Sequence, residues 1–160
     1  MNNLPACSIL AVDDTKYNID LLVDALGDEY DLSVAMNGSS ALQLAATTPP
    51  DLILLDIMMP GMDGVEDLRR LKADRTTREI PVIFLTALSE IGDKARGFEL
   101  GAVDYITKPF QIEEVKARVN THLKLRQTQN ALQQFNDRLQ DMLAQQVEEI
   151  ARSQQAMIFA

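Results

Sequence analysis

The chain has 160 residues, 46% of them apolar, which is room for one ordinary domain with a sizeable buried core and a remainder. Its longest purely aliphatic runs, such as Leu52–Leu55, are about four residues long, far short of the roughly 20 that cross a bilayer, so no membrane span is expected. The formal net charge is −9, with 9 basic and 18 acidic residues up to Phe110 and 6 of each from Gln111 onward; nucleic-acid backbones are bound by clustered Lys and Arg, so this balance argues against direct nucleic-acid binding and makes a small cation the more natural guest.

Met1–Pro5 has neither a basic start nor an apolar stretch of signal-peptide length, and the single cysteine, Cys7, cannot form an internal disulfide. Both features suit a reducing cytosol, and Cys7 reads as core filler. Short aliphatic or β-branched runs recur at Ser8–Val12, Leu32–Ala35, Leu52–Leu55, Val82–Leu85 and Val103–Ile106. They are too apolar for strands with one wet face and predict buried parallel strands. Helical spacing lies between them. Ile19, Leu22, Val23 and Leu26 end at Gly27; Ala41, Leu42 and Ala45 end before Pro49; Val65, Leu68 and Leu71 form a third set; Ala95, Phe98 and Leu100 form a fourth near Gly101. Five alternations of strand and helix predict a doubly wound α/β sheet over residues 5–124.

From Gln111 to Ala160 there is no Gly or Pro, and Gln, Glu, Leu and Ala dominate. One long helix is expected, with Ile112, Val115 and Val119 packing back onto the sheet. Leu125, Thr128, Leu132, Phe135, Leu139 and Met142 then step by three and four, the spacing of a coiled-coil seam. Leu143, Val147 and Ile150 depart from the strict heptad, which alters the supercoil locally. Residues 125–160 are therefore read as a coiled-coil linker, and a homodimer through this helix is expected because one domain is too small to cover so long a stretch.

In an open parallel sheet, ligands bind beyond the carboxyl ends of the strands where the strand order reverses. Those ends here carry Asp13-Asp14, Asp56, Thr86-Ala87 and Thr107-Lys108-Pro109. Three gathered carboxylates repel one another unless a cation or a lysine compensates or one of them stays protonated. A hard divalent ion and Lys108 meet that need, and Mg²⁺, or Mn²⁺ in its place, suits an all-oxygen ligand set. Asp13 read merely as a helix cap is the bland alternative. His122 has no neighbours at metal-ligand spacing and reads as a partly buried or surface imidazole, and Met58, Met59 and Met62 read as thioethers packed beside a loop.

Asp13-Asp14, the run Leu54-Leu55-Asp56-Ile57-Met58-Met59-Pro60-Gly61-Met62-Asp63-Gly64, Leu85-Thr86-Ala87 and Asp104-Tyr105-Ile106-Thr107-Lys108-Pro109-Phe110 together resemble the receiver domain of two-component response regulators, over roughly residues 6–123. The resemblance implies a flavodoxin-like fold with strand order 2-1-3-4-5. It implies Asp56 as phosphoacceptor, Asp13 and Asp14 as metal-site acids with the Met58 backbone carbonyl completing the site, and Thr86 and Lys108 as binders of phosphoryl oxygens. Tyr105 matches the aromatic that changes position on activation, and the Lys108–Pro109 bond is expected to be cis. The implied partner is a sensor histidine kinase or a phosphotransfer protein. The fragment itself is expected to catalyse only its own phosphorylation and dephosphorylation. Apolar residues at Met58 and Leu88 offer no hydrogen bond to orient an attacking water, so a long-lived phosphoaspartate is expected.

Rival functions fit less well. A flavin-binding relative would carry a Ser/Thr/Gly-rich phosphate loop where Asp13-Asp14 would repel phosphate. A stand-alone aspartate phosphatase needs a second acid two residues after Asp56, where Met58 stands. A degenerate receiver acting as a phosphorylation-independent dimerisation scaffold is disfavoured because every reacting position holds the matching residue type. The segment from Gln145 to Ala160 resembles the lead-in of response regulators with an HD-GYP domain, a metal-dependent phosphodiesterase acting on cyclic di-GMP. The apolar run Ala156–Ala160 is expected to be followed by an output domain, of this kind or of the diguanylate cyclase or histidine kinase kind, whose response regulators share similar receiver–coiled-coil linkers; a DNA-binding output fits less well for want of a basic segment.

Overall fold

The computed structural model describes residues 7–59, 62–87, 98–99 and 101–158, with the side chains of 58–59, 62–63 and 157–158 left aside. The elements are β1 (Ser8–Val12), α1 (Lys16–Leu26), β2 (Asp31–Ala35), α2 (Gly38–Thr47), β3 (Leu52–Asp56), β4 (Met58–Met59), β5 (Met62–Asp63), α3 (Gly64–Ala73), β6 (Val82–Ala87), β7 (Asp104–Lys108) and α4 (Ile112–Ile158). The main sheet has the order β2-β1-β3-β6-β7, with every pair parallel. This is the flavodoxin-like 2-1-3-4-5 order once the short antiparallel ribbon β4–β5 is set apart. Periodicity did not point to that ribbon, since two-residue strands are too short to show one.

Side-chain alternation explains why the strands read as continuous apolar runs. Leu10, Val12, Ile53, Leu55, Val82 and Phe84 join Ala41, Ala45, Leu68 and Leu71 of α2 and α3 in one core layer. Ile9, Ala11, Leu52, Leu54, Ile83 and Leu85 join Ile19, Leu22 and Leu26 of α1, and Val115, Val119 and Leu123 of α4, in the other. A strand buried on both faces has no polar alternate position. Removing one of these side chains, as in Leu54→Ala, would cost about 2–5 kcal/mol.

Two expectations need correction, the burial of β2 and that of Val23 and Ile112. β2 is an edge strand with Asp31, Ser33 and Val34 exposed, because only β1 pairs with it. Val23 and Ile112 are 42% exposed: each lies at the margin of an apolar stripe whose centre is occupied by the buried residues of its own helix. The N-cap of α1 is Thr15, whose side chain makes no capping bond, so Asp13 is not the cap. Most of the expected fourth helix, Ala95 and Leu100 included, falls outside the described residues, and Phe98, which lies within them, is exposed.

Two compact units are distinguishable, Met1–Leu123 and Lys124–Ala160. In the second, the helix leaves Leu125, Leu132, Phe135, Leu139, Met142, Leu143, Val147 and Ile150 exposed, from 41% at Leu139 to 66% at Val147. No helix among the described residues is long and apolar enough to cross a membrane.

Candidate functional site

The strand order reverses between β1 and β3, and that crevice is where three carboxylates meet. Asp13 follows β1 and Asp56 ends β3, both fully buried, and Asp14 is half-buried. Each offers an oxygen within 4.8 Å of the other two. Gly64, the first residue of α3, permits the local geometry: a Cβ there would lie 2.3 Å from the Ile57 Cα and 2.6 Å from the Asp56 carbonyl oxygen. Only a residue without a Cβ lets α3 begin against the backbone of the acid.

Lys108, at the end of β7, reaches across the sheet. Its Nζ donates to Asp56 Oδ2 at 2.9 Å and stands 3.3 Å from Asp13 Oδ2. Burial by itself would lower the lysine pKa, but the hydrogen bond and charge of Asp56, then those of Asp13, hold it above its ordinary value. Asp13 is bound on its other side by the Thr15 N–H, donated to Oδ1 at 2.9 Å. Its buried Oδ2 makes no well-formed hydrogen bond; the 3.3 Å approach of Lys108 is a charge contact instead. A buried carboxylate oxygen with coordination capacity left, beside two more carboxylates, fits a hard divalent cation.

Thr86, fully buried, is paired in register with Thr107, and its hydroxyl makes a long contact of 3.3 Å to the Ala87 carbonyl. Tyr105 is half-buried. Its ring stacks on Phe84 with centroids 6.0 Å apart and meets Phe98 edge-on at 5.9 Å. The Lys108–Pro109 peptide is cis. Of the other residues singled out, Met58 begins the β4–β5 ribbon directly after the Asp56-Ile57 pair, while its side chain and Leu88 lie outside the described residues. His122 stands apart from the pocket and contacts Asp104, its Nε2 3.0 Å from Oδ2. Motif reading passed over Asp104 and Arg118, joined at 2.7 Å. The spacing of Glu114, Arg118 and His122, four residues apart on one helix, was the available signal.

A five-stranded parallel sheet of this order, with an acid cluster and a lysine at its carboxyl edge, defines the class: a flavodoxin-like α/β domain. The profile of the response regulator receiver domain matches residues 9–120, and the chain belongs to that family. It is 42% identical over all 160 residues to a Vibrio cholerae protein named probable cyclic di-GMP phosphodiesterase, covering 36% of that protein. It is 51% identical over 114 residues, 71% of this chain, to the Caulobacter vibrioides response regulator PleD, covering 25% of it. The chain thus spans about a quarter to a third of these relatives. Among solved structures, a response regulator from Chloroflexus aurantiacus superposes with a TM-score of 0.71 at 35% identity, over 75% of this chain and 99% of the other. The Vibrio cholerae chemotaxis protein CheY4 does so with 0.69 at 27% identity, over 73% and 98%.

Proposed function

We propose that this receiver accepts a phosphoryl group on Asp56 from a histidine kinase or phosphotransfer protein and passes the change through α4 to an output domain. The observation that carries the reading is the Lys108 ammonium, 2.9 Å from Asp56 and 3.3 Å from Asp13, in a pocket that gathers Asp14 as well. An Asp56 carboxylate oxygen attacks the phosphorus of a phosphohistidine, the P–N bond breaks, and the imidazole leaves with the bond's electron pair and takes up a proton. The product is an acyl phosphate. Lys108 neutralises charge on the transferring oxygens, and positioning with electrostatics supplies most of the acceleration. Asp13, Asp14, Asp56 and the Met58 carbonyl would hold Mg²⁺ or Mn²⁺, which when bound supplies further positive charge to those oxygens.

The acyl phosphate adds anionic oxygens beside Thr86, whose hydroxyl makes a long contact of 3.3 Å to the Ala87 carbonyl. Turning that hydroxyl toward the phosphoryl group draws on the end of β6 and frees the neighbourhood of Tyr105. In the second unit, the exposed seam would pair with a second copy. Fully burying one such side chain contributes about 1.5–3 kcal/mol. With eight of them roughly half exposed on each helix, the gain is on the order of 10–25 kcal/mol, against about 4–15 for association. An HD-GYP-type cyclic di-GMP phosphodiesterase is the proposed output, supported by the match of all 160 residues of this chain to 36% of the Vibrio cholerae relative; on this reading residues 5–124 are the receiver and 125–160 its linker, and the whole works in the cytoplasm.

The test is labelling with acetyl phosphate and Mg²⁺, followed by the intact mass. Wild type takes one phosphoryl group, Asp56→Asn takes none and His122→Ala keeps it. A label that persists on Asp56→Asn refutes the assignment.

A further inference from the structure

Outside the acidic pocket, Asp104 is gripped almost wholly from the helix side. It opens β7, and its own strand contributes one hydrogen bond, from the Tyr105 N–H to Oδ1 at 2.8 Å. Arg118 Nη1 donates to both oxygens, at 2.7 and 2.8 Å, and His122 Nε2 lies 3.0 Å from Oδ2. Glu114, one turn before Arg118, takes the Arg118 Nε–H at 3.1 Å and orients the guanidinium. Burial opposes the charge on Asp104, yet the bonds from Arg118 and His122 hold its pKa below the ordinary value.

The same guanidinium lies over the Tyr105 ring, 5.8 Å from its centroid. Tyr105 stacks on Phe84, which stands two residues before Thr86 on β6. Packing alone would secure this part of α4, since Val115, Val119 and Leu123 already anchor it in the core. A desolvated carboxylate adds little net stability over an apolar contact. It adds directionality, because Arg118 touches the aromatic ring and the strand's carboxylate at once.

We propose that Asp104, Arg118 and His122 form a clamp that passes a rearrangement of Tyr105 from the sheet to α4. This rests on the reading that Asp56 is phosphorylated and that Tyr105 responds. Arg118 and His122 are positioning residues and take no part in phosphoryl chemistry. When Tyr105 turns, Arg118 loses the ring face on one side while Asp104 still holds it on the other. The guanidinium must then re-seat, and the helix backbone that carries it shifts with it.

The experiment uses the full 160-residue chain, acetyl phosphate labelling read by intact mass, and beryllofluoride with Mg²⁺ as phosphoryl mimic read by amide hydrogen exchange. Wild type labels, and the mimic changes exchange in peptides from residues 112–123. In Arg118→Ala, labelling stays within about twofold, while the mimic-induced change in 112–123 falls about threefold or more; the change around Thr86 and Tyr105 persists. Arg118→Lys, which keeps the charge without the planar guanidinium that lies over the Tyr105 ring, restores only part, and His122→Gln, which can still donate to Asp104, keeps most of it. A merely structural role would raise exchange equally with and without the mimic and leave the difference intact. Asp104→Asn repeats the test should Arg118→Ala not fold. Variants that label and keep the full mimic-induced difference in 112–123 overturn the clamp alone. A wild type that does not label overturns the phosphorylation reading and the clamp with it.

Discussion

Replacing Lys108 with Met removes the cation nearest two fully buried carboxylates while keeping most of the side chain's volume. The ammonium sits 2.9 Å from Asp56 and 3.3 Å from Asp13. At an effective dielectric constant near 20, those separations correspond to about 6 and 5 kcal/mol of gross attraction. Most of this is cancelled by the cost of desolvating the three groups, and the lysine side chain is still 23% exposed. What remains on deletion is the penalty of an uncompensated buried charge, about 3 kcal/mol, or a fall in Tm of about 10–15 °C for a domain of this size. Mg²⁺ should shrink the deficit, because the variant has more unbalanced negative charge for a cation to offset. Thermal unfolding followed by circular dichroism, with EDTA and then with Mg²⁺, measures both. The folded-state lysine pKa is raised from 10.5, so its contribution is fully present below that value and lost as pH rises through the folded pKa. The gap between wild type and variant should therefore hold near neutrality and close only above the ordinary lysine range. A variant within about 2 °C of wild type in EDTA at neutral pH would show that the ion pair does not compensate the acid cluster.

Two further substitutions test the surroundings of the site and the seam. Gly64→Ala places a methyl group against the Ile57 and Asp56 backbone, where neither neighbour is a flexible side chain; it should destabilise the domain by about 1–3 kcal/mol and slow acetyl phosphate labelling, and unchanged stability with unchanged labelling would refute the close approach. Leu132→Glu with Phe135→Glu puts charge at two of the most exposed apolar positions of the helix, so sedimentation should show the proposed dimer replaced by monomer while Asp56 still labels; a persistent dimer would place the contact elsewhere.

Strand positions were legible because both faces of β1, β3 and β6 are covered, which leaves an uninterrupted apolar run at each. The same logic misjudged β2, since position at a sheet edge is a property of strand order and not of the strand's own residues. It also misjudged Val23 and Ile112, because helical spacing gives the direction of an apolar stripe but not its width, which depends on how near the neighbouring element comes. The residue types of the acidic pocket stand at strand ends in the sequence, and their chemistry follows from type alone: three hard carboxylates demand a cation. Their convergence is another matter. It depends on β1 lying between β2 and β3, on β7 delivering Lys108 across β6, and on the backbone of α3 meeting Asp56 at Gly64. The grip of Arg118 and His122 on Asp104 joins residues 14 and 18 positions apart, a pairing no local period encodes. Local periodicity and side-chain chemistry thus set the elements and the reactive groups. Long-range packing alone decided which of those groups touch, because contact between distant residues depends on how the whole sheet is ordered.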